Sequence, residues 1–189
     1  ISADSVRMGG DHVTSDISMG LQIPNAAAER IKTLYGGTMA TGMDDREMIE
    51  TDGNSGDWEH DRRQVSRSEL IGIIRPRMEE VLEDVRDRLD VAGFDSLPGK
   101  QIVLTGGASQ IPGLDGLAAR ILGQHVRLGR PIRLQGLPQA ATGPAFSGVV
   151  GLALNAANPQ DEWWDFQVPQ SQLIGRPVRR AARWFRDNW

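Results

Sequence analysis

The chain has 189 residues, 39% of them hydrophobic and 24% charged, a mix that excludes wholesale disorder and allows a sizeable core. It contains no cysteine, which excludes disulfides, thiolate zinc sites and cysteine nucleophiles and fits a reducing compartment. The net charge is −4, yet residues 176–189 hold five arginines against one aspartate, so the body is acidic and a poor general binder of nucleic acid.

Residues 1–8 alternate loosely and run into Gly9-Gly10, which reads as a strand and a turn. Asp11 to Leu21 suits a helix with Val13, Ile17 and Leu21 on one face, and Asp11 suits its cap. A second helix is expected over Ala26 to Leu34, capped by Asn25. Residues 36–67 turn polar and glycine-rich, reading as short strands with a long loop around Asp52 to Asp61. Ser66-Arg67-Ser68-Glu69 has the pattern of a capping box. The long helix behind it carries Leu70, Ile73, Ile74, Met78, Val81, Leu82, Val85 and Leu89 at mostly three- and four-residue steps. Pro76, without an amide donor, is predicted to kink or interrupt it.

Gly99 to Leu104 reads as a buried strand and Leu114 to Leu122 as a helix. Val126 to Leu128 reads as a strand and Pro144 to Ala157 as a small-residue helix. Strands alternating with helices argue an α/β body. A polar stretch with Pro159 and Pro169 follows as a linker. No apolar run reaches the length of a membrane span, and the first residues carry no signal-peptide pattern. The first residue is Ile1, so the sequence reads as the C-terminal piece of something longer.

The turn Thr105-Gly106-Gly107-Ala108-Ser109 lies between a strand and a helix. Glycines there let a backbone approach a flat or phosphorylated ligand, although tight packing turns look the same. His12, His60 and His125 lie far apart, and His12 with Asp16 or Asp57 with His60 makes only a two-ligand fragment of a metal site. No Ser-His-Asp order stands out. The sequence therefore assigns neither a catalytic residue nor a metal ligand.

The tail is a different object. Six of the ten aromatics (Trp163, Trp164, Phe166, Trp184, Phe185, Trp189) follow Pro159. At about 100° per residue, Ile174, Val178, Ala181, Ala182, Phe185 and Trp189 fall on one helical face. Arg176, Arg179, Arg180, Arg183 and Arg186 occupy much of the other, Trp184 sits at an edge, and Pro177 falls in the first turn. Such a helix lies in a membrane interface, each basic residue adding about 1 kcal/mol near anionic lipid. A helix packed on its own domain, or one bound by a protein partner, is the competing reading.

Three stretches then carry a resemblance. Gly9-Gly10-Asp11-His12-Val13-Thr14-Ser15-Asp16-Ile17 resembles the segment after the second phosphate loop of actin-like ATPases. Ala28-Glu29-Arg30-Ile31-Lys32 resembles that superfamily's Ala-Glu-x-x-Lys, and Val103 to Gly113 is similar to its adenosine motif. Arg75-Pro76-Arg77-Met78-Glu79-Glu80, Val126 to Pro131 and Pro144 to Gly148 occur in the order of the bacterial FtsA family, before an arginine-rich end.

The resemblance implies an actin-like (ribonuclease H-like) α/β ATPase lobe over 1–35 and 98–157. A small α+β subdomain would cover 36–97, a linker 158–173 and an amphipathic membrane-targeting helix 174–189. It implies ATP, with Mg2+ held largely by a missing N-terminal half, beside Gly106, Gly107, Ser109, Glu29 and Lys32. Spacing alone also lets Glu29 and Lys32 be a solvated helical pair.

It implies docking of the FtsZ C-terminal peptide at Arg77 and Glu80, though Arg77 could equally pair with Glu80 on its own helix. Self-association into filaments is implied, and so is attachment to anionic lipids through Val178, Arg179, Arg180, Ala181, Ala182, Arg183, Trp184, Phe185, Arg186 and Trp189. The expected place is the cytoplasmic face of the inner membrane at the division site, with no nucleic acid bound and at most weak ATPase activity. The alternatives are an MreB-like filament protein or a sugar-kinase or chaperone-type enzyme, which the arginine tail disfavours.

Overall fold

The computed structural model describes residues 3–52, 62–94, 101–132 and 136–157. Residues 2–152 form one compact unit. Ile1 and residues 153–189 form a second, of which only 153–157 are described. The expected linker and terminal helix lie outside the described residues.

Helix α1 spans Gly10–Leu21 and α2 spans Asn25–Tyr35. The four-residue spacing of Val13, Ile17 and Leu21 buries all three, against Ala27, Ala28 and Ile31 of α2. Burying each such aliphatic side chain contributes about 1.5–3 kcal/mol. Neither expected cap forms: Gly9 and Pro24 hold the cap positions, and Asp11 and Asn25 sit inside the first turns. The His12 ring closes the start of α1 instead, its Nδ1 accepting the Gly9 amide at 3.3 Å. At the other end Gln22 is left-handed (φ 53°) and turns the chain so that the Ile23 amide reaches the Ser18 carbonyl.

Strands β1 (Met48–Asp52) and β2 (Arg62–Ser66) pair antiparallel, with Met48 opposite Ser66 and Asp52 opposite Arg62. Ile49 and Val65 face each other across this pair and enter the core. A polar knot around the buried Asp44 fastens the preceding turn. The Asp44 carboxylate accepts the Thr41 amide and hydroxyl and the Arg67 guanidinium, the last at 2.8 Å. The Thr41 amide, with help from Arg67, holds this carboxyl below the usual aspartate value despite the opposing effect of burial.

Helix α3 runs from Arg67 to Val91. Ser66 caps it, its hydroxyl accepting the Glu69 amide at 3.2 Å. Leu70, Ile74, Met78 and Leu82 form its buried stripe and pack on α1. Pro76 does not interrupt it. The carbonyl that the proline leaves without a donor belongs to Gly72, an exposed residue where water can satisfy it.

Strand β3 (Ile102–Leu104) pairs in parallel with β4 (Val126–Leu128) through helix α4 (Leu114–Leu122), which packs on α3. Arg120 of α4 reaches Glu79 of α3 at 2.8 Å, and Arg75 reaches the same carboxylate at 3.0 Å. One-turn 3-10 helices at Gln139–Thr142 and Pro144–Phe146 lead into α5 (Ser147–Ala157). Residues 3–8 form no strand. Alternation alone cannot make one, because a strand needs a ladder partner and none of the described residues supplies it.

Candidate functional site

The glycine turn grows from the end of β3. Gly106 takes a left-handed conformation (φ 95°) that suits glycine, and its amide reaches the Pro144 carbonyl at 3.0 Å. Thr105 donates its hydroxyl to Ser147 Oγ at 2.7 Å, tying the turn to the start of α5. Ser109 is buried and donates back to the Gly106 carbonyl at 2.8 Å, bracing the turn from within. Gly107 is helical in conformation, and a Cβ added there would meet nothing within 4 Å.

Opposite this turn stand α1 and α2, and the two walls enclose a cleft of about 700 Å³. Gly10, Asp11, Glu29, Lys32 and Thr33 line one side, and Gly107, Ala108 and Gln110 line the other. Gly10 lies close enough to the turn that a Cβ there would sit 3.5 Å from Ala108. Three of the expected residues, Glu29, Lys32 and Gly107, therefore meet across one space. Gly106 and Ser109 belong to the frame of the turn.

A compact polar network joins the helical wall. The Lys32 ammonium donates to Glu29 Oε2 at 2.5 Å, to Thr14 Oγ1 at 2.7 Å and to the Gly10 carbonyl at 3.1 Å. Thr14 lies 2.5 Å from the same Glu29 oxygen. Lys32 is nearly buried, whereas the Glu29 side chain is 53% exposed. Burial pushes the Glu29 carboxyl up, but hydrogen bonds from Lys32 and Thr14 outweigh it and hold the carboxyl below the ordinary glutamate value. Glu29 thus stays ionised and open, a good acceptor for ligand hydroxyls, while Lys32 neutralises it from behind. Nothing here proposes a nucleophile. Among the described residues no group of three or more histidines and carboxylates is arranged to hold a metal ion.

A second cluster lies on α3, away from the cleft. Arg77 grips Asp16 of α1 through Nε at 2.5 Å and Nη2 at 3.0 Å. Its Nη1 lies 2.5 Å from Glu80 Oε2 and 3.6 Å from the Met8 sulfur. The Asp16 carboxylate, with Glu80 adding to it, raises the Arg77 pKa against the effect of burial. Arg77 and Glu80 are therefore together, as the intrahelical spacing allows, and a second acid joins them from another helix.

The sequence offers Asp16 only as a metal-site fragment with His12, because spacing does not encode that α1 crosses α3 at Arg77. Asp11 reads there as a cap, and Gly10 and Thr14 carry no role of their own beyond the motif. Their place at the start of the first helix was the available signal.

Three comparisons bear on this arrangement. A family model described as Cell division protein FtsA matches residues 1–151. The cell division protein FtsA of Agrobacterium fabrum is 46% identical across 100% of this chain and 43% of its own length. Those of Pseudomonas aeruginosa and Escherichia coli K12 are each 33% identical, over 97% and 95% of this chain and 45% and 44% of theirs. The chain thus spans less than half the length of the curated relatives it matches.

The fold is similar to that of MreB5 of Spiroplasma citri. The ADP-bound structure matches with a TM-score of 0.56 and 13% identity over 80% of this chain and 45% of that one. The AMPPNP-bound structure matches with a TM-score of 0.55 and 16% identity over 80% and 44%. Identities this low speak to the actin-like fold alone.

Proposed function

The chain belongs to the FtsA family of cell-division proteins, and from that premise we propose that the full-length protein is an ATP-binding, actin-like adaptor. It holds FtsZ filaments at the cytoplasmic face of the inner membrane, at the division site. The observation that carries the nucleotide part is the cleft in which Glu29 and Lys32 face Gly107. Its volume suits a small-molecule ligand, for which about 300–1,000 Å³ is usual. The MreB5 neighbours, bound to ADP and AMPPNP, support the same reading.

In this reading Glu29 accepts hydroxyls of the ribose, Lys32 keeps that carboxylate in place, and the open Cα face of Gly107 admits the flat base. The described residues offer no carboxylate cluster for Mg2+. The resemblance assigns the phosphates and Mg2+ largely to the family's N-terminal half, and any hydrolysis with them.

The FtsZ C-terminal peptide, acidic and partly apolar, docks beside Arg77 and Glu80 on α3. The basic, aromatic sequence of residues 176–189 attaches the protein to anionic lipid, and the actin-like body self-associates.

Gly107 offers the sharpest test of the nucleotide reading. Its backbone suits any residue and its Cα faces open space, so Gly107→Phe should fold normally while filling the cleft. In the full-length protein it should weaken ATP binding at least about tenfold, the effect of losing roughly 1.4 kcal/mol. Isothermal titration showing unchanged affinity would place the nucleotide elsewhere.

The membrane part is tested on liposomes. Phe185→Glu should abolish co-sedimentation with anionic vesicles, because it drags a charge into the apolar face. Arg179→Ala with Arg183→Ala should only weaken it, in a salt-dependent way. A Phe185→Glu protein that sediments normally would turn the tail into a partner-binding helix.

A further inference from the structure

An ammonium group has three N–H donors and no acceptor, so its partners can be counted. At Lys32 the count closes within the protein. It donates to Glu29 Oε2 at 2.5 Å, to Thr14 Oγ1 at 2.7 Å and to the Gly10 carbonyl at 3.1 Å, and only 10% of the side chain is exposed. No donor is left for a ligand. Glu29 is the complementary case. Lys32 and Thr14 both sit on one carboxylate oxygen, Oε2. Among the described residues the other oxygen, Oε1, meets only the Thr33 hydroxyl at 3.5 Å, which is better placed on the Glu29 carbonyl at 2.8 Å. Oε1 is therefore the free acceptor, on a side chain that lines the cleft and is 53% exposed.

The buried Thr14 hydroxyl makes this division. It stands on α1, whereas Glu29 and Lys32 lie three residues apart on α2. A hydroxyl accepts and donates at once. It takes an N–H from Lys32 and aims its own O–H at Glu29 Oε2, 2.5 Å away, the Gly10 carbonyl at 3.1 Å being the more distant acceptor. An ion pair between neighbours on one helix is weak and leaves both long side chains several rotamers. A third partner from another helix removes that freedom.

We infer that Thr14 is a positioning residue of the cleft: its hydroxyl turns Lys32 inward and fixes Glu29 with Oε1 free, so that the site selects a ligand by a hydroxyl donor opposite that oxygen. On the proposed nucleotide reading, on which this inference rests, the donor is a ribose hydroxyl. A hydrogen bond from a hydroxyl to a carboxylate is roughly twice as strong as one between neutral groups, and an oxygen held ready in advance spares the cost of ordering it on binding.

The test is isothermal titration of the full-length protein with ATP and with dideoxyATP, which lacks both ribose hydroxyls. The unmodified protein should bind ATP at least about tenfold more tightly. Thr14→Val keeps the shape but removes the hydroxyl. It should cut that ratio to about threefold or less by weakening ATP binding while leaving the dideoxy nucleotide as it was. Thr14→Ser keeps the hydroxyl and should keep the ratio, whatever the lost methyl does to stability. Thr14→Ala, read in the same way as Thr14→Val, covers a folding defect in that variant.

A loss shared equally by both nucleotides would make Thr14 merely structural and overturn the inference. A ratio that Thr14→Val leaves unchanged, or that Thr14→Ser loses, would overturn it too. Glu29→Ala separates this failure from that of the underlying reading. If Glu29→Ala removes the ratio, the carboxylate reads the hydroxyls and only the positioning role falls. If the unmodified protein shows no ratio, or Glu29→Ala keeps it, the ribose does not meet Glu29 and the nucleotide reading of this wall falls with the inference.

Discussion

The two walls of the cleft are built differently. One consists of α1 and α2, three-turn helices that bury Val13, Ile17, Leu21, Ala27, Ala28 and Ile31 and whose polar side chains interlock at Lys32. The other is a glycine turn between a three-residue strand and α4, and its parallel ladder leaves Val103 and Leu128 substantially exposed. Parallel strands are ordinarily covered on both faces, so this wall draws less support from the described core. The difference teaches where the cleft is best supported: the ionised Glu29 stands on the firm side, and the glycine backbone opposite it stands on the yielding side.

The contrast can be broken most severely in the helical wall. Ile17→Ala removes a side chain with no solvent exposure and should destabilise the protein by about 2–5 kcal/mol in chemical denaturation. Lys32→Met should come next, at about 1–3 kcal/mol, because it strips the Glu29 carboxylate and Thr14 of a charged donor.

Acid should act on the same wall more gently. The folded Glu29 carboxyl lies below its ordinary value of 4.5, so its stabilising contribution is complete above that pH and is lost as the pH falls through the folded value. Glu29→Gln should therefore lower the melting temperature at neutral pH yet show a smaller further drop down to about pH 3. Asp44 and Glu79, also held low, should continue to produce a drop in both proteins. Val103→Ala, on the yielding wall, should change stability by less than about 0.5 kcal/mol. A large effect there would mean that the two walls are equally supported.

Much of the firm wall was legible in the sequence. Apolar spacing gave α1 to within a residue, because a buried stripe on a helix leaves a periodic trace, and the Pro24-Asn25 start gave α2 to within a residue at each end. The Ser66 cap was legible for the same local reason. What depends on contacts between distant segments was not. The Asp16–Arg77 grip joins residues 61 positions apart, and no local pattern encodes which helices cross. Nor could Pro76 be judged from its own chemistry, since the outcome hinged on Gly72 being exposed one turn earlier. The glycine turn was visible as a turn. That Ser109 faces inward and Gly107 outward follows from the left-handed backbone at Gly106, which no local pattern encodes.

The short ladder under the turn has a consequence for how the protein opens. Its pairing is bracketed by two backbone bonds, from the Ile102 amide to the His125 carbonyl at 3.1 Å and from the Gly129 amide to the Leu104 carbonyl at 2.7 Å. Segments with few buried contacts open at lower free energy than the global fold, and their amides exchange with solvent sooner. The Gly129 amide should thus exchange well before those of Ile17 or Ile74. A ligand seated against Gly107 would bind only the closed form and so slow that exchange by mass action, while leaving the already protected helical wall unchanged.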